Sequence, residues 1–223
     1  MTIIGKRLET AISLLKKCRN NEIFADIGSD HAHFAIEASK RGIARSVIAS
    51  DINKMPLEKG RENAISQNVD MKFIISDGFD SIENEGITSA AICGMGGELI
   101  ASIVLRSQTA KKCDLILQPM SAAEELRKAL WDNGFEITDE IFVVENKKPY
   151  TVMRAVYTGI NTEYTYIDLY LGKKREKTDA FVYYCEKVLN SAKKRRLGII
   201  AKSEPTDEID SLISECQMQT INF

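Results

Sequence analysis

Apolar residues with strong β propensity recur in seven short runs over roughly the first 160 residues, and polar, turn-forming residues separate them. Between most of these runs, apolar residues return at the three- and four-residue spacing of a helix. Strands and helices that alternate in this way form a mostly parallel sheet with helices on both faces. The predicted strands are 22–27, 46–51, 71–76, 88–93, 113–118, 136–145 and 150–158, and the predicted helices are about 32–42, 54–68, 96–107 and 121–133.

The last two predicted strands follow one another without a helix. Only the turn-like segment Asn146-Lys147-Lys148-Pro149 separates them. We therefore expect an antiparallel hairpin at one edge of a seven-stranded sheet. A further helix is predicted over 6–15, before the first strand, and the whole α/β domain is assigned to residues 1–160.

The pattern changes in residues 161–223, which we assign to a separate helical arm. From about residue 178 the apolar positions predict one long helix. A turn at 203–206 follows, and Thr206 is expected to cap a short acidic helix over 207–217. Two helices joined by a tight turn predict an antiparallel hairpin, a short coiled coil.

The formal net charge of −2 at first argues against a nucleic-acid partner, but the charges are unevenly placed. Residues 173–202 contain ten basic and three acidic residues, whereas 203–223 contain five acidic residues and no basic one. The basic part has two interpretations, a solvated helix face or an arm that contacts RNA, and the acidic helix could fold back over it.

The cysteines, the histidines and the apolar runs limit the class of protein. Five widely spaced cysteines without a C-x-x-C pattern favour reduced thiols in a cytoplasmic protein, and the two histidines make a histidine-rich metal site improbable. No run reaches the roughly 20 apolar residues of a membrane span. We therefore expect a cytoplasmic protein with no metal and no membrane contact, and a monomer.

The segment that follows the first strand carries the most specific information. It reads Ala25-Asp26-Ile27-Gly28-Ser29-Asp30-His31-Ala32. A strand that ends in Asp-x-Gly and leads into a helix builds a nucleotide-type pocket at the sheet edge. In a dinucleotide-binding loop a second glycine would stand where this chain has Asp30. A carboxylate there repels a pyrophosphate but favours an ammonium or a sulfonium, so we expect S-adenosylmethionine rather than NAD.

Three further strand ends carry residues of the same kind. An acid at the end of the second strand suits ribose hydroxyls, and the apolar residue after it can pack on adenine. An acid at the end of the third strand suits the adenine amino group, and a glycine-rich end of the fourth strand allows close approach of the methionine part and the substrate. The predicted cofactor-binding residues are Asp26, Gly28, Ser29, Asp51, Ile52, Asp77, Gly78, Gly94, Met95 and Gly96.

These segments together resemble a known family. Lys6-Arg7-Leu8, the segment 25–32, Ser76-Asp77-Gly78, Gly94-Met95-Gly96-Gly97 and Leu117-Gln118-Pro119 look like the signature segments of the TrmK family, over Lys6 to about Gly159. The resemblance implies a Rossmann-like class I methyltransferase domain with a C-terminal coiled coil, which methylates N1 of adenine 22 in bacterial tRNA. The chain differs from the family pattern at His33, where tyrosine is more familiar, and at Met120, where asparagine is usual.

The chemistry predicts a catalytic carboxylate. Methyl transfer from a sulfonium is an in-line displacement, and methylation of adenine N1 creates a cation that a nearby anion stabilises or relieves of an N6 proton. Asp30 is the carboxylate at the pocket mouth, and the resemblance also suggests it. The alternative is that Asp30 only caps the next helix. His31 either orients Asp30 or contacts the base, or it is a structural residue.

The remaining site predictions concern the substrate. N1 lies on the pairing edge, so the target base must leave its stack, and basic groups should hold the RNA around it. The predicted substrate-binding residues are Lys6, Arg7, Gln118, Pro119, Lys193, Lys194, Arg195 and Arg196. Two alternatives stay open: an S-adenosylmethionine-dependent methyltransferase of a small molecule or a protein, and an RNA-binding relative that has lost catalysis.

Overall fold

A computed structural model describes residues 4–221, and these residues form one sheet with helices on both faces and a further group of helices packed on its strand Phe135–Glu145. The ends of the two predicted domains, residues 1–3 and 222–223, lie outside the described residues. The helices are α1 Lys6–Leu15, α2 His33–Lys40, α3 Lys54–Ser66, α4 Gly97–Arg106, α5 Ala123–Asp132, α6 Tyr166–Leu171, α7 Asp179–Ala201 and α8 Asp207–Ile221. The strands are β1 Ile23–Ile27, β2 Ser46–Asp51, β3 Lys72–Ile75, β4 Ser89–Gly96, β5 Asp114–Ser121, β6 Phe135–Glu145 and β7 Lys148–Tyr157.

The sheet has the order β3-β2-β1-β4-β5-β7-β6. The first five strands are parallel, and β7 runs antiparallel to both β5 and β6. The prediction of a Rossmann-like, seven-stranded sheet with an antiparallel edge hairpin is confirmed. Because the parallel strands all end at one edge, the residues that follow β1, β2, β3, β4 and β5 meet there.

Strand alternation divides the core between the two faces of the sheet. Leu115 and Leu117 of β5 point into the layer under α4 and α5, whereas Ile116 between them points into the layer under α1, α2 and α3. The same alternation places Ile27 and Phe24 of β1 on opposite faces. Successive side chains of a strand point in opposite directions, so a strand covered on both faces is apolar throughout.

The C-terminal helices form a third core that includes a strand of the sheet. Phe142 of β6 packs on Phe181 and Tyr184 of α7, with ring centroids 4.9 and 4.8 Å apart, and helix α8 packs on α7. The predicted helical hairpin is therefore confirmed, with α8 four residues longer than expected. Helix α6 had no predicted counterpart. It begins with a capping box in which Thr165 and Asp168 bond each other's backbone N–H groups.

A buried ion pair joins these layers. Arg127 of α5 and Glu140 of β6 are both excluded from solvent, and Arg127 Nη2 lies 2.6 Å from Glu140 Oε1. Thr151 of β7 donates to the same carboxylate oxygen at 2.6 Å. Arg127 Nη1 donates to the carbonyl oxygens of Leu169 and Tyr170 in α6, at 2.6 and 3.2 Å. The pair thus connects α5, both strands of the hairpin and the arm.

None of the helices described between residues 4 and 221 has an apolar stretch long enough to cross a membrane.

The buried pair predicts a large stability effect. Glu140→Gln keeps the side-chain shape but leaves the Arg127 charge buried without a counter-charge, so it should lower the free energy of unfolding by about 3–5 kcal/mol. Glu136→Gln is the matched control, because Glu136 lies on the same strand and is exposed. It should change that free energy by less than about 0.5 kcal/mol. Urea unfolding of both variants measures this, and equal small effects would contradict a stabilising role for the pair.

Candidate functional site

The turn after β1 is held in an unusual backbone conformation. Gly28, Asp30 and Ala32 all have positive φ, at 69°, 48° and 58°. The N–H groups of Gly28 and Ser29 both donate to the carbonyl oxygen of Ser50 at the end of β2, at 2.8 and 2.9 Å. Glycine adopts this conformation without strain, and aspartate adopts it more readily than most residues. The turn is thereby fixed against the neighbouring strand at the carboxyl edge of the sheet.

Asp26 lies beneath this turn and is almost completely buried. Ser29 Oγ donates to Asp26 Oδ2 at 2.7 Å. Burial raises the pKa of the Asp26 carboxyl to about 6, and the hydrogen bond from Ser29 opposes that shift only in part. The site therefore contains a carboxylate that is ionised at neutral pH but is stabilised by few partners.

Asp51 at the end of β2 connects with the same turn. Its Oδ2 accepts a hydrogen bond from the Asp30 N–H at 3.3 Å, and its Oδ1 accepts one from the Asn53 N–H at 2.8 Å. The next residue, Ile52, is 60% exposed. The structure therefore places a fixed carboxylate and a free apolar side chain next to each other at this strand end.

A pocket of about 160 Å³ lies between the β1 turn and α1. Asp30 and His31 stand at its mouth, with side chains that are 71% and 48% exposed, and His31 Nδ1 lies 3.9 Å from Asp30 Oδ1. Helix α2 begins after Ala32 and has no side-chain cap, so the alternative that Asp30 caps this helix is wrong. The lining residues are Arg7, Leu8, Asp26, Gly28, Ser29, Asp30, His31, His33, Phe34, Cys93 and Gly94.

The glycine-rich end of β4 packs closely on its neighbours. A Cβ atom on Gly97 would lie 2.0 Å from the Ala122 carbonyl oxygen, so only glycine fits there. The Met95 side chain covers Gly28, because a Cβ atom on Gly28 would lie 1.9 Å from Met95 Cε. Gly96 also lies beside the β5 end, where its Cβ would be 3.5 Å from Ser121 Oγ. The ends of β1, β4 and β5 are thus in direct contact.

Asp77 and Gly78, after β3, lie outside the lining of this pocket. The Asp77 carboxylate forms an ion pair with Arg106 at the end of α4, and about half of its side chain is exposed. Gly78 has a φ of 60°, and a Cβ there would lie 2.9 Å from Ile103 Cγ2. The predicted contact of Asp77 with adenine stays a prediction.

Arg7 and Gln118, both predicted to bind substrate, bind each other. Arg7 Nη1 donates to Gln118 Oε1 at 2.7 Å, and Arg7 Nε lies 2.7 Å from Glu145 Oε1. Its guanidinium also lies 5.0 Å from the centre of the Tyr150 ring. Gln118 is fully buried, and its Nε2 donates to the Pro119 carbonyl oxygen at 2.8 Å. Arg7 therefore lines the pocket, whereas Gln118 is buried and contacts it only through Arg7.

The predicted cluster of cations on α7 divides in the structure. Lys193 and Lys194 are exposed. Arg195 lies over the Tyr170 ring of α6, with 4.4 Å between guanidinium carbon and ring centre. Arg196 forms an ion pair with Asp210 of α8. The acidic helix therefore does fold back on the basic one. Lys6 is exposed beside a groove under α7 that also contains Asp179 and Tyr183.

Sequence reasoning missed several residues of the pocket. Leu8, Phe34 and Cys93 line it, and burial raises the pKa of the Cys93 thiol far above its usual range. His33 Nδ1 is buried and has no hydrogen-bond partner among residues 4–221. Cys93 could have been inferred, because it precedes the glycine-rich strand end. A cavity of about 410 Å³ beside Trp131 contains none of the predicted site residues.

Within the described part of the chain, no group of three or more His, Cys, Asp or Glu side chains is arranged to hold a metal ion.

A family model described as a methyltransferase domain matches residues 4–153. This match agrees with the sheet order and with the acids at the ends of β1 and β2. Fold and site together define a Rossmann-like class I methyltransferase.

Individual relatives of the chain identify a family within this class of methyltransferases. The chain is 30% identical over 173 residues to the tRNA (adenine(22)-N(1))-methyltransferase of Bacillus subtilis, covering 76% of this chain and 71% of that protein. A crystal structure of B. subtilis TrmK matches with a TM-score of 0.77 at 25% identity, covering 99% and 97% of the two chains. A Streptococcus pneumoniae protein in complex with S-adenosyl-L-methionine matches with a TM-score of 0.81 at 25% identity, covering 98% and 100%. The chain belongs to the TrmK family of tRNA (adenine(22)-N1)-methyltransferases.

The raised pKa of Asp26 predicts a pH dependence of stability. The unfolded carboxyl titrates near pH 3.8 and the folded one near pH 6, so the stabilisation from the bound proton is complete below about pH 4 and is lost as the pH rises through 6. The Asp26→Asn variant has no carboxyl at this position, so this position does not titrate between about pH 4 and pH 7. Between pH 4.5 and 7.5 its free energy of unfolding should therefore rise by about 2 kcal/mol relative to the wild type.

Urea unfolding at the two pH values measures this difference. Asp70→Asn is the control, because Asp70 is exposed and lies outside the site. A wild type whose stability changes with pH in parallel with Asp26→Asn would show that Asp26 does not titrate in this range.

Proposed function

We propose that the protein transfers the methyl group of S-adenosylmethionine to N1 of an adenine in tRNA, at position 22 as in the name of its B. subtilis relative. One observation carries the proposal: an exposed carboxylate, Asp30, stands at the mouth of a pocket that the ends of β1 and β4 and the starts of α1 and α2 line. The similarity to tRNA methyltransferases favours RNA over a small molecule or a protein as the acceptor.

The residues present fit the cofactor. Asp26 offers a buried carboxylate to an ammonium or sulfonium, and Asp51 offers acceptor oxygens to ribose hydroxyls. The exposed Ile52 beside Asp51 offers an apolar surface to adenine. When bound, S-adenosylmethionine supplies an electrophilic methyl group on a sulfonium.

Asp30 is the proposed catalytic residue. Adenine N1 attacks with a free lone pair, so no proton need be removed first, and the positive charge develops on the base. Asp51 and the turn hold the backbone of Asp30, while its carboxylate remains free to face that charge. The carboxylate stabilises the cation or accepts a proton from N6. His31, 3.9 Å away, is proposed to orient it.

The proposed partner is tRNA, held partly by the C-terminal arm. The target base must leave its stack to present N1. Lys193 and Lys194 are exposed on α7 and are available to phosphates. A tRNA substrate supports the prediction of a cytoplasmic location, and that location and a monomeric state both remain predictions.

The function is tested by methyl transfer from labelled S-adenosylmethionine to unmodified bulk tRNA, with nucleoside analysis of the product. The wild type should form N1-methyladenosine. Asp30→Ala should lower kcat by about 100-fold or more, because it removes the anion that faces the developing charge, and should leave cofactor affinity within about twofold. Asp70→Ala is the control and should behave as the wild type.

Two results would contradict this. Cofactor binding without methylation of any tRNA by the wild type would refute the RNA methyltransferase. If Asp30→Ala methylates tRNA at the same rate as Asp70→Ala, the proposed activity stands but Asp30 is not a catalytic residue.

A further inference from the structure

A second cleft lies between α7 and the catalytic sheet, on the other side of Arg7 from the Asp30 pocket. We name it the α7 cleft. Its volume is about 280 Å³, close to the lower end, roughly 300 Å³, of pockets that hold small molecules. One wall is the segment 119–124, from the end of β5 to the start of α5, with Tyr150 of β7 beside it, and the other is α7 itself. No residue of the predicted catalytic pair lines it.

The α7 wall carries two cations on one face. Lys187, Ser191 and Arg195 follow one another at four-residue spacing, so all three face the cleft. Neither Lys187 nor Arg195 forms an ion pair with a carboxylate of the described residues. Glu124 is the acidic residue in the opposite wall. The lining therefore has two cations against one acid, and Glu124 offsets only part of their positive charge.

Aromatic rings accompany these cations. The Arg195 guanidinium lies over the Tyr170 ring at 4.4 Å, and Lys187 Nζ lies 5.7 Å from the centre of the Tyr184 ring. Basic side chains interleaved with aromatic rings are typical of sites for single-stranded nucleic acid. Burial lowers the pKa of Lys187, and an anion in the cleft would oppose that shift.

Only a few side chains separate the cleft from the Asp30 pocket. Arg7 lines the Asp30 pocket, and its Nη1 donates to Sδ of Met120, which lines the cleft. Tyr150 lies under the same guanidinium and lines the cleft as well. On the other side, Ser121 and Ala122 of the cleft wall contact the glycine-rich end of β4. When an adenine of the RNA enters the Asp30 pocket, the neighbouring nucleotides of the RNA lie close to these side chains.

We propose that the α7 cleft binds a nucleotide of the substrate RNA next to the target adenine, with Lys187 and Arg195 holding its phosphate. This inference rests on the proposed function and adds a binding site to it. It assigns to the exposed Lys187 and the partly buried Arg195 the role that the sequence suggested for a cluster of four.

The test measures tRNA affinity at several salt concentrations. The double variant Lys187→Gln, Arg195→Gln should raise the Kd for tRNA by roughly 10- to 100-fold. The negative slope of log association constant against log salt concentration should become shallower by about 0.7 to 0.9 for each lost phosphate contact. The KM for tRNA should rise while kcat at saturating tRNA and the Kd for S-adenosylmethionine stay within about twofold. Lys187→Arg keeps the charge and should keep the slope.

Lys128→Gln is the matched control, because Lys128 lies on α5, is half-exposed and is absent from the cleft lining. It should leave tRNA affinity unchanged. If the double variant and this control have the same Kd and slope while the wild type methylates tRNA, the cleft proposal is wrong and the proposed function stands. If the wild type methylates no tRNA, the proposed function fails first. If the double variant also loses cofactor affinity, the Kd for tRNA and the salt dependence of the single variant Lys187→Gln test the proposal instead. This variant leaves the contacts of Arg195 with Tyr166 and Tyr170 intact.

Discussion

The position of the C-terminal arm depends on one buried charge pair, Arg127 and Glu140. Two ions removed from solvent are tolerated only when their remaining hydrogen-bonding groups are satisfied. Here Thr151 satisfies the carboxylate, and carbonyl oxygens at the end of α6 satisfy the guanidinium. The short helix α6 cannot move away without leaving the guanidinium short of partners. The guanidinium also contacts the Tyr184 hydroxyl of α7, and Tyr170 and Tyr184 both line the α7 cleft, so the pair lies directly behind one wall of that cleft.

The catalytic side of the molecule shows the opposite use of burial. Asp26 is buried with one side-chain hydrogen bond, and burial raises its pKa to about 6, so at neutral pH it is held ionised at a cost in stability. The turn above it holds three residues with positive φ. Such features cluster at functional sites, where the surrounding structure holds them in place. A positively charged ligand would offset the cost of the buried carboxylate, which supports the proposed role of Asp26 in cofactor binding.

The sheet and its strand ends were predictable because they depend on local patterns. Doubly buried strands are apolar throughout, and the acids follow them directly in sequence. Contacts between distant segments were not predictable. Arg7 meets Gln118 across 111 residues, and Asp77 meets Arg106 across 29. Nothing in either segment alone indicates that these polar side chains bind each other. Helix α6 was missed although Thr165 and Asp168 form a capping box, because its six residues are too few to establish a helical period.

The arm illustrates the difference between charge in a sequence and charge at a surface. Its basic residues form one block in the sequence, but in the fold some of them face α8 and others face the sheet. Arg196 is paired with Asp210, and Arg175 lies 4.0 Å from Glu215, so acids of α8 neutralise cations that face them. Lys187 and Arg195 face the catalytic sheet instead, where Glu124 is the acid opposite them. A hairpin with one acidic helix therefore does not cancel the basic helix. It pairs some of the cations and leaves Lys187 and Arg195 on the face that lines the α7 cleft.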